Sequence, residues 1–240
     1  MHAVHQLYQE RLARSTRPFL ARGGRVDRCP QCRLAKPFCT CGERPSVASN
    51  AAFRLLMYDD EVLKPSNSGR LVADIVPDTF AFIWSRTQPD ARLLALLADP
   101  LWQPCVVFPA SYASPGRTVW HSLPPLGTDK RPLFILIDGS WREACKIFRK
   151  SPYLDSLPML SFSPDSASRY QVRTAAKTEQ LATAEVAARV LEMAGEPHNA
   201  AILDAWFDLF AYRYQLAVHQ INRGHEDALA RLRQALAEAG

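Results

Sequence analysis

An acid, a glycine, a hydroxyl and an indole follow one another at Asp138, Gly139, Ser140 and Trp141, where an apolar run gives way to an amphipathic one. At the carboxyl end of a strand, these are the groups from which α/β proteins build ligand sites. Ser140, with Glu143 three residues on, also fits a capping box, in which serine and glutamate satisfy the free amides of a helix start. The cap is reason enough for Ser140, and Gly139 can serve as a permissive backbone position. Neither role needs Asp138 or Trp141, so these two carry the functional weight.

A second chemical group lies near the start. Four of the six cysteines fall within a short stretch, Cys29 and Cys32 as C-x-x-C and Cys39 and Cys41 as C-x-C. Two close thiolate pairs can complete a zinc tetrahedron without a folded core, and with all four positions filled by protein such a site is structural. In a reducing compartment metal is favoured over disulfides. Cys105 and Cys145 stand in apolar settings and read as packing residues.

The elements that must hold these groups can be read from periodicity. Leu133 to Ile137 is a continuous apolar run, as expected of a strand buried on both faces. After it, Trp141, Ala144, Cys145 and Phe148 recur at helical spacing, with Arg142, Glu143, Lys146, Arg149 and Lys150 on the opposite face. FRLLMY (53–58), TFAFIW (79–84), CVVFPA (105–110), LFILID (133–138) and LPMLSF (157–162) read as strands. Helical stretches lie between them, such as ARLLALLAD after Pro89-Asp90. This alternation predicts a largely parallel α/β sheet. A basic helix is expected over residues 1–20, ending at Pro18. Helices over 183–194 and 200–220 carry apolar stripes that suit core packing, and a last helix follows Gly224.

Two loops add candidates. KPSNSGR (64–70) combines Lys64 and Arg70 with Ser66 and Asn67, a composition suited to an anionic ligand but equally to a plain turn. FPASYASPG (108–116) has the same double character. No Walker loop, G-x-G-x-x-G, G-x-S-x-G or H-E-x-x-H motif occurs, which argues against the nucleotide-binding and hydrolytic classes those motifs define.

With 240 residues and 48% apolar content the chain can bury one substantial core, with a small appended module. No stretch is long and pure enough to cross a membrane. The N-terminal arginines come without the apolar core of a signal peptide, so a cytoplasmic address is expected. The net charge of +5 is unevenly spread, with one cluster around Arg142 to Lys150 and another at Arg169, Arg173 and Lys177. Such patches attract nucleic acid, or are plain solvated faces.

Several long segments together resemble the DTW-domain family. These are STRPFLARGGRVDRC, the cysteine knuckle, MYDDEVLKPSNSGRLVADIVPDT, FIWSRT, VVFPASYA, LFILIDGSWREACKIFRKSPYLDSLP and TAEVA. Where the family's name motif has threonine, this chain has Ser140, which keeps the hydroxyl. The resemblance implies a SPOUT-like, mostly parallel α/β fold with a trefoil-knotted C-terminal region. It also implies an N-terminal helix and four-cysteine zinc knuckle over residues 1–46 and a catalytic domain over 47–240. The implied reaction moves the 3-amino-3-carboxypropyl group of S-adenosylmethionine to N3 of a tRNA uridine, position 47 in the variable loop being the expected target, and releases methylthioadenosine.

On that basis the co-substrate site draws on Phe108, Pro109, Ser111, Asp138, Gly139, Ser140, Trp141, Thr183 and Glu185, with Asp138, Ser140 and Trp141 at the chemistry. Asp138 is either the base that takes the N3 proton or the group that orients the co-substrate's ribose. As a base it starts from a reference pKa of about 3.9, which burial would have to raise. Glu185 would engage the ammonium group or complement its helix dipole. Lys64, Ser66, Asn67, Arg70, Lys146, Arg149, Lys150, Arg169 and Arg173 are assigned to RNA. Rival classes are a SPOUT-like RNA methyltransferase and a zinc-containing RNA-binding protein without enzymatic activity. The protein is expected to act as a monomer.

Overall fold

The computed structural model describes residues 2–17, 19, 26–127, 129–163, 181–218 and 222–238. Its centre is a six-stranded, all-parallel sheet in the order β2-β1-β5-β3-β6-β4. The strands are β1 (Ala52–Met57), β2 (Thr79–Ile83), β3 (Trp102–Val107), β4 (Val119–Trp120), β5 (Arg131–Asp138) and β6 (Met159–Leu160). β5 is flanked on both sides, and its residues Pro132 to Leu136 are buried. That is why its sequence is an unbroken apolar run and not an alternating one.

Among the described residues seven α-helices cover the two faces: α1 (Ala3–Ala13), α2 (Gly69–Ile75), α3 (Ala91–Ala98), α4 (Trp141–Arg149), α5 (Thr183–Met193), α6 (Pro197–Val218) and α7 (Ala228–Ala237). On one face Phe53, Leu55, Phe134 and Leu136 pack with residues of α1, α2, α5, α6 and α7 in a single large cluster. On the other, Leu56, Val106 and Ile135 meet Leu93 of α3 and the apolar side of α4. Val4, Leu7, Cys32 and Leu34 join the first cluster, so the N-terminal segment packs into the main body.

Several boundaries differ from the sequence expectation for identifiable reasons. α1 stops at Ala13, well before Pro18, because Ser15 accepts from Arg11 Nη1 at 2.9 Å and donates to the Arg11 carbonyl at 3.2 Å. Local serine bonds of this kind compete with helix continuation. β3 starts at Trp102 rather than Cys105. Its Pro104 is tolerated because β6 pairs only with Val106 and Val107, leaving that side of Pro104 without a ladder partner. The stretch 157–162 contributes only the two-residue β6, and the equally short β4 was not anticipated.

Candidate functional site

The carboxyl ends of β3, β5 and β6, with the start of α5, enclose a cavity of about 520 Å³. It lies in the crevice beyond the strand ends where open α/β sheets bind ligands, and its size is that of a small-molecule site. Phe108, Pro109, Ser111, Gly139, Trp141 and Thr183 line it, as anticipated, together with Tyr112, His121, Ser161 and Phe162, which sequence reasoning passed over. Ser163 and Leu181 also line it, and Arg169 and Arg173 lie between them, outside the described residues.

One wall is aromatic. Trp141 stacks on Phe108 with ring centroids 5.5 Å apart, Phe108 stacks on Phe148 at 4.4 Å, and Tyr112 meets Trp141 edge-on at 5.6 Å. The Tyr112 phenol is held above its usual pKa, first by its hydrogen bond to the Cys145 thiol and then by burial. Among the described lining residues none is a carboxylate, a lysine or an arginine. An electron-rich wall of this kind suits an organic cation, which ring faces attract without a counter-charge.

Asp138 stands behind this cavity rather than in it. Its side chain is 3% exposed. Oδ2 accepts from Asn67 Nδ2 at 2.7 Å and Oδ1 from Thr183 Oγ1 at 2.7 Å. A Cβ added at Gly69 would lie 2.2 Å from Oδ2, so the glycine exists to let the carboxylate in. Asp138 thus ties together the end of β5, the loop before α2 and the first turn of α5. In this arrangement its two oxygens position the cavity wall, with Asn67 and Thr183 as donors.

Ser140 caps α4. Its Oγ accepts from Glu143 N at 3.4 Å and donates to Glu143 Oε2 at 2.7 Å, and its own amide donates to the same oxygen at 2.7 Å. It is exposed and absent from the described lining, so its assignment to the chemistry is corrected to a cap. Ser140→Ala should cost about 1 kcal/mol and lower the thermal midpoint by roughly 2–4 °C. Ser140→Thr, which restores the family's own residue, should keep the cap. Thermal unfolding followed by circular dichroism measures both, and an unaltered Ser140→Ala midpoint would rule the cap out.

Glu185 is 5% exposed and accepts from the Ala182 amide at 2.7 Å, at the start of α5. Thr183, beside it, keeps its place on the cavity wall.

The loop KPSNSGR faces inward. Asn67 is fully buried between Glu61 and Asp138, and its Oδ1 accepts from the Arg70 amide at 3.0 Å. Arg70 is 2% exposed with its guanidinium 4.8 Å from the Phe210 ring centroid. Burial opposes the charge on Lys64, but Glu61, Asp60 and Glu143 at 2.9, 3.3 and 3.9 Å outweigh it and hold its pKa above the usual lysine value. Ser66 is half-buried. Asn67 and Arg70 are therefore unable to meet a phosphate, and Lys64 is already neutralised. By contrast, Lys146, Arg149 and Lys150 are exposed on α4, with Lys146 Nζ 3.2 Å from the Tyr58 hydroxyl.

The four N-terminal thiols converge. All four Sγ atoms lie within 4.8 Å of one another, with Cys29–Cys41, Cys32–Cys39 and Cys29–Cys39 at 3.7, 3.7 and 3.6 Å. A tetrahedron with metal–sulfur bonds of about 2.3 Å has edges of about 3.8 Å, so the group could hold a metal ion. The turn is shaped by Arg33, whose φ of 58° is left-handed. Its amide donates to the Cys29 carbonyl at 2.9 Å, and its buried guanidinium donates to the Val62 carbonyl just ahead of the Lys64 loop. Burial, reinforced by Arg70, brings the Arg33 pKa down to about 9.

An all-parallel sheet with an aromatic cavity at its carboxyl edge, and an N-terminal group of four cysteines that could hold a metal ion, define a mixed α/β protein. The chain belongs to the DTW-domain family: residues 26–215 match the family model of the DTW domain. Membership is consistent with a role in tRNA modification. No solved structure matches the chain. Among the described residues no helix is long and apolar enough to cross a membrane.

Proposed function

We propose that the protein is a cytoplasmic, monomeric tRNA-uridine aminocarboxypropyltransferase. It takes S-adenosylmethionine into the cavity and transfers its 3-amino-3-carboxypropyl group to N3 of a uridine, position 47 in the variable loop. The observation that carries this is the cavity itself, whose lining joins the aromatic rings of Trp141 and Tyr112, beside which a sulfonium could rest, with no described carboxylate, lysine or arginine. Phe108, Pro109, Ser111, Gly139, Trp141 and Thr183 would hold the co-substrate. Ala182 has no side-chain oxygen to cap α5, so the first-turn amides suit the co-substrate's carboxylate.

Which of the three sulfonium carbons reacts is set by which one is held in line with the nucleophile. Lys146, Arg149 and Lys150 on the outer face of α4 would draw the RNA phosphates, joined by Arg169 and Arg173. Zinc in the Cys29, Cys32, Cys39 and Cys41 site would fix the N-terminal segment, residues 1–46, against the catalytic remainder, 47–240. A SPOUT-like, knotted arrangement is supported by the parallel sheet and by a cavity bounded on both sides of residues 164–180.

Incubating the protein with S-adenosylmethionine and unmodified tRNA should yield methylthioadenosine and an aminocarboxypropylated uridine by mass spectrometry. S-adenosylhomocysteine in place of methylthioadenosine would make it a methyltransferase. Binding of tRNA with neither product would leave an RNA-binding protein.

A further inference from the structure

Alkylating an imide nitrogen requires a group to take its proton, and Asp138, whose oxygens accept from Asn67 and Thr183, is not among the described residues that line the cavity. We infer that His121 is the proton acceptor, an assignment that rests on the transfer reaction proposed above. His121 follows β4 directly and lines the cavity. Its Nδ1 lies 3.2 Å from the Ser161 carbonyl oxygen. A carbonyl can only accept, so Nδ1 carries the hydrogen and Nε2 keeps its lone pair.

His121 is exposed, and this contact ties its ring to the frame that holds the aromatic wall. The Ser161 amide donates to the Trp120 carbonyl at 2.9 Å, and Ser161 Oγ accepts from the Ala110 amide at 2.8 Å. Ser161 is thus a positioning residue for both His121 and the segment from Phe108 to Tyr112. Of the described lining residues only His121 carries an imidazole, and the Tyr112 phenol is held in its protonated form by Cys145. The proton therefore falls to the imidazole.

In the step, His121 Nε2 takes the N3 proton as the N3 electron pair forms the bond to the terminal carbon of the aminocarboxypropyl group. The carbon–sulfur bond breaks with its pair retained on sulfur, which passes from sulfonium to neutral thioether. The single positive charge moves to the His121 imidazolium, which then releases the proton to solvent.

His121→Gln keeps a donor toward Ser161 but cannot accept the proton. Its single-turnover transfer rate at saturating S-adenosylmethionine should fall by ~10²-fold or more. In ¹⁵N-histidine-labelled protein, the ring signals missing from His121→Gln should shift when methylthioadenosine is added to wild type. A wild-type rate in His121→Gln, or ring signals that do not move, would overturn the role of His121 alone. A wild-type protein that produces no methylthioadenosine would overturn the transfer reaction and this role together.

Discussion

Gly69→Ala is expected to be among the most damaging single-methyl changes in this protein. The added Cβ would sit 2.2 Å from Asp138 Oδ2 and 3.0 Å from its Cγ, and the carboxylate has no slack. Moving it breaks the bonds from Asn67 and Thr183, each 2.7 Å long in a site that is 3% exposed. Overpacking joined to a broken buried polar network costs roughly 3 kcal/mol, a fall of roughly 6–12 °C in the thermal midpoint of a chain this size. The Thr183 side of the cavity should loosen with it. A double-mutant cycle isolates the cause. With Asp138→Ala in place the clash is gone, and Gly69→Ala should become neutral or favourable by up to about 1 kcal/mol through helix propensity. Equal costs in the two backgrounds would mean that the glycine is there for another reason.

Loss of the metal site should be comparably severe. The purified, reduced protein is expected to contain one zinc per chain by elemental analysis, and a strong chelator or Cys32→Ser should remove it. Cys32 is buried in the same cluster as Val4, Leu7 and Leu34, so stripping the ion unfastens α1 and the knuckle from the main core. Structural zinc contributes about 10–16 kcal/mol in isolated fingers, so even partial coupling should lower the midpoint by on the order of 10 °C or more. Four free thiols with no bound metal, and a midpoint indifferent to chelation, would refute the site.

The sheet and the helix after Ser140 were legible because their signals are local: an apolar run for a strand covered on both faces, helical spacing for α4, and a serine with a glutamate three residues on. Thiol spacing likewise announced the convergence of the four cysteines. What could not be read was direction. Asp138 ends the right strand, but whether its carboxylate enters the cavity or turns behind it depends on Asn67, Gly69 and Thr183, residues far from it in sequence. Arg70 looked like a phosphate ligand until Phe210, brought over by α6, supplied the ring it packs on. His121 had one faint signal, being the sole histidine between residues 6 and 197. The two-residue strand that places it is too short to leave a pattern.

The strand order has a consequence for how the chain is made. β5 sits between β1 and β3, yet it is synthesised after both. Until residue 138 has left the ribosome, the β1–β2 pair and β3 have no common neighbour, and their apolar edges stand open. The contacts that close the sheet are long in sequence and slow to form, so the nascent chain carries unpaired strand edges from the completion of β1 at Met57 until β5 is complete at Asp138. Exposed edges of that kind invite aggregation. The protein's vulnerable period is therefore its assembly, and cellular yield will depend more on how quickly β5 is captured than on the stability of the finished fold.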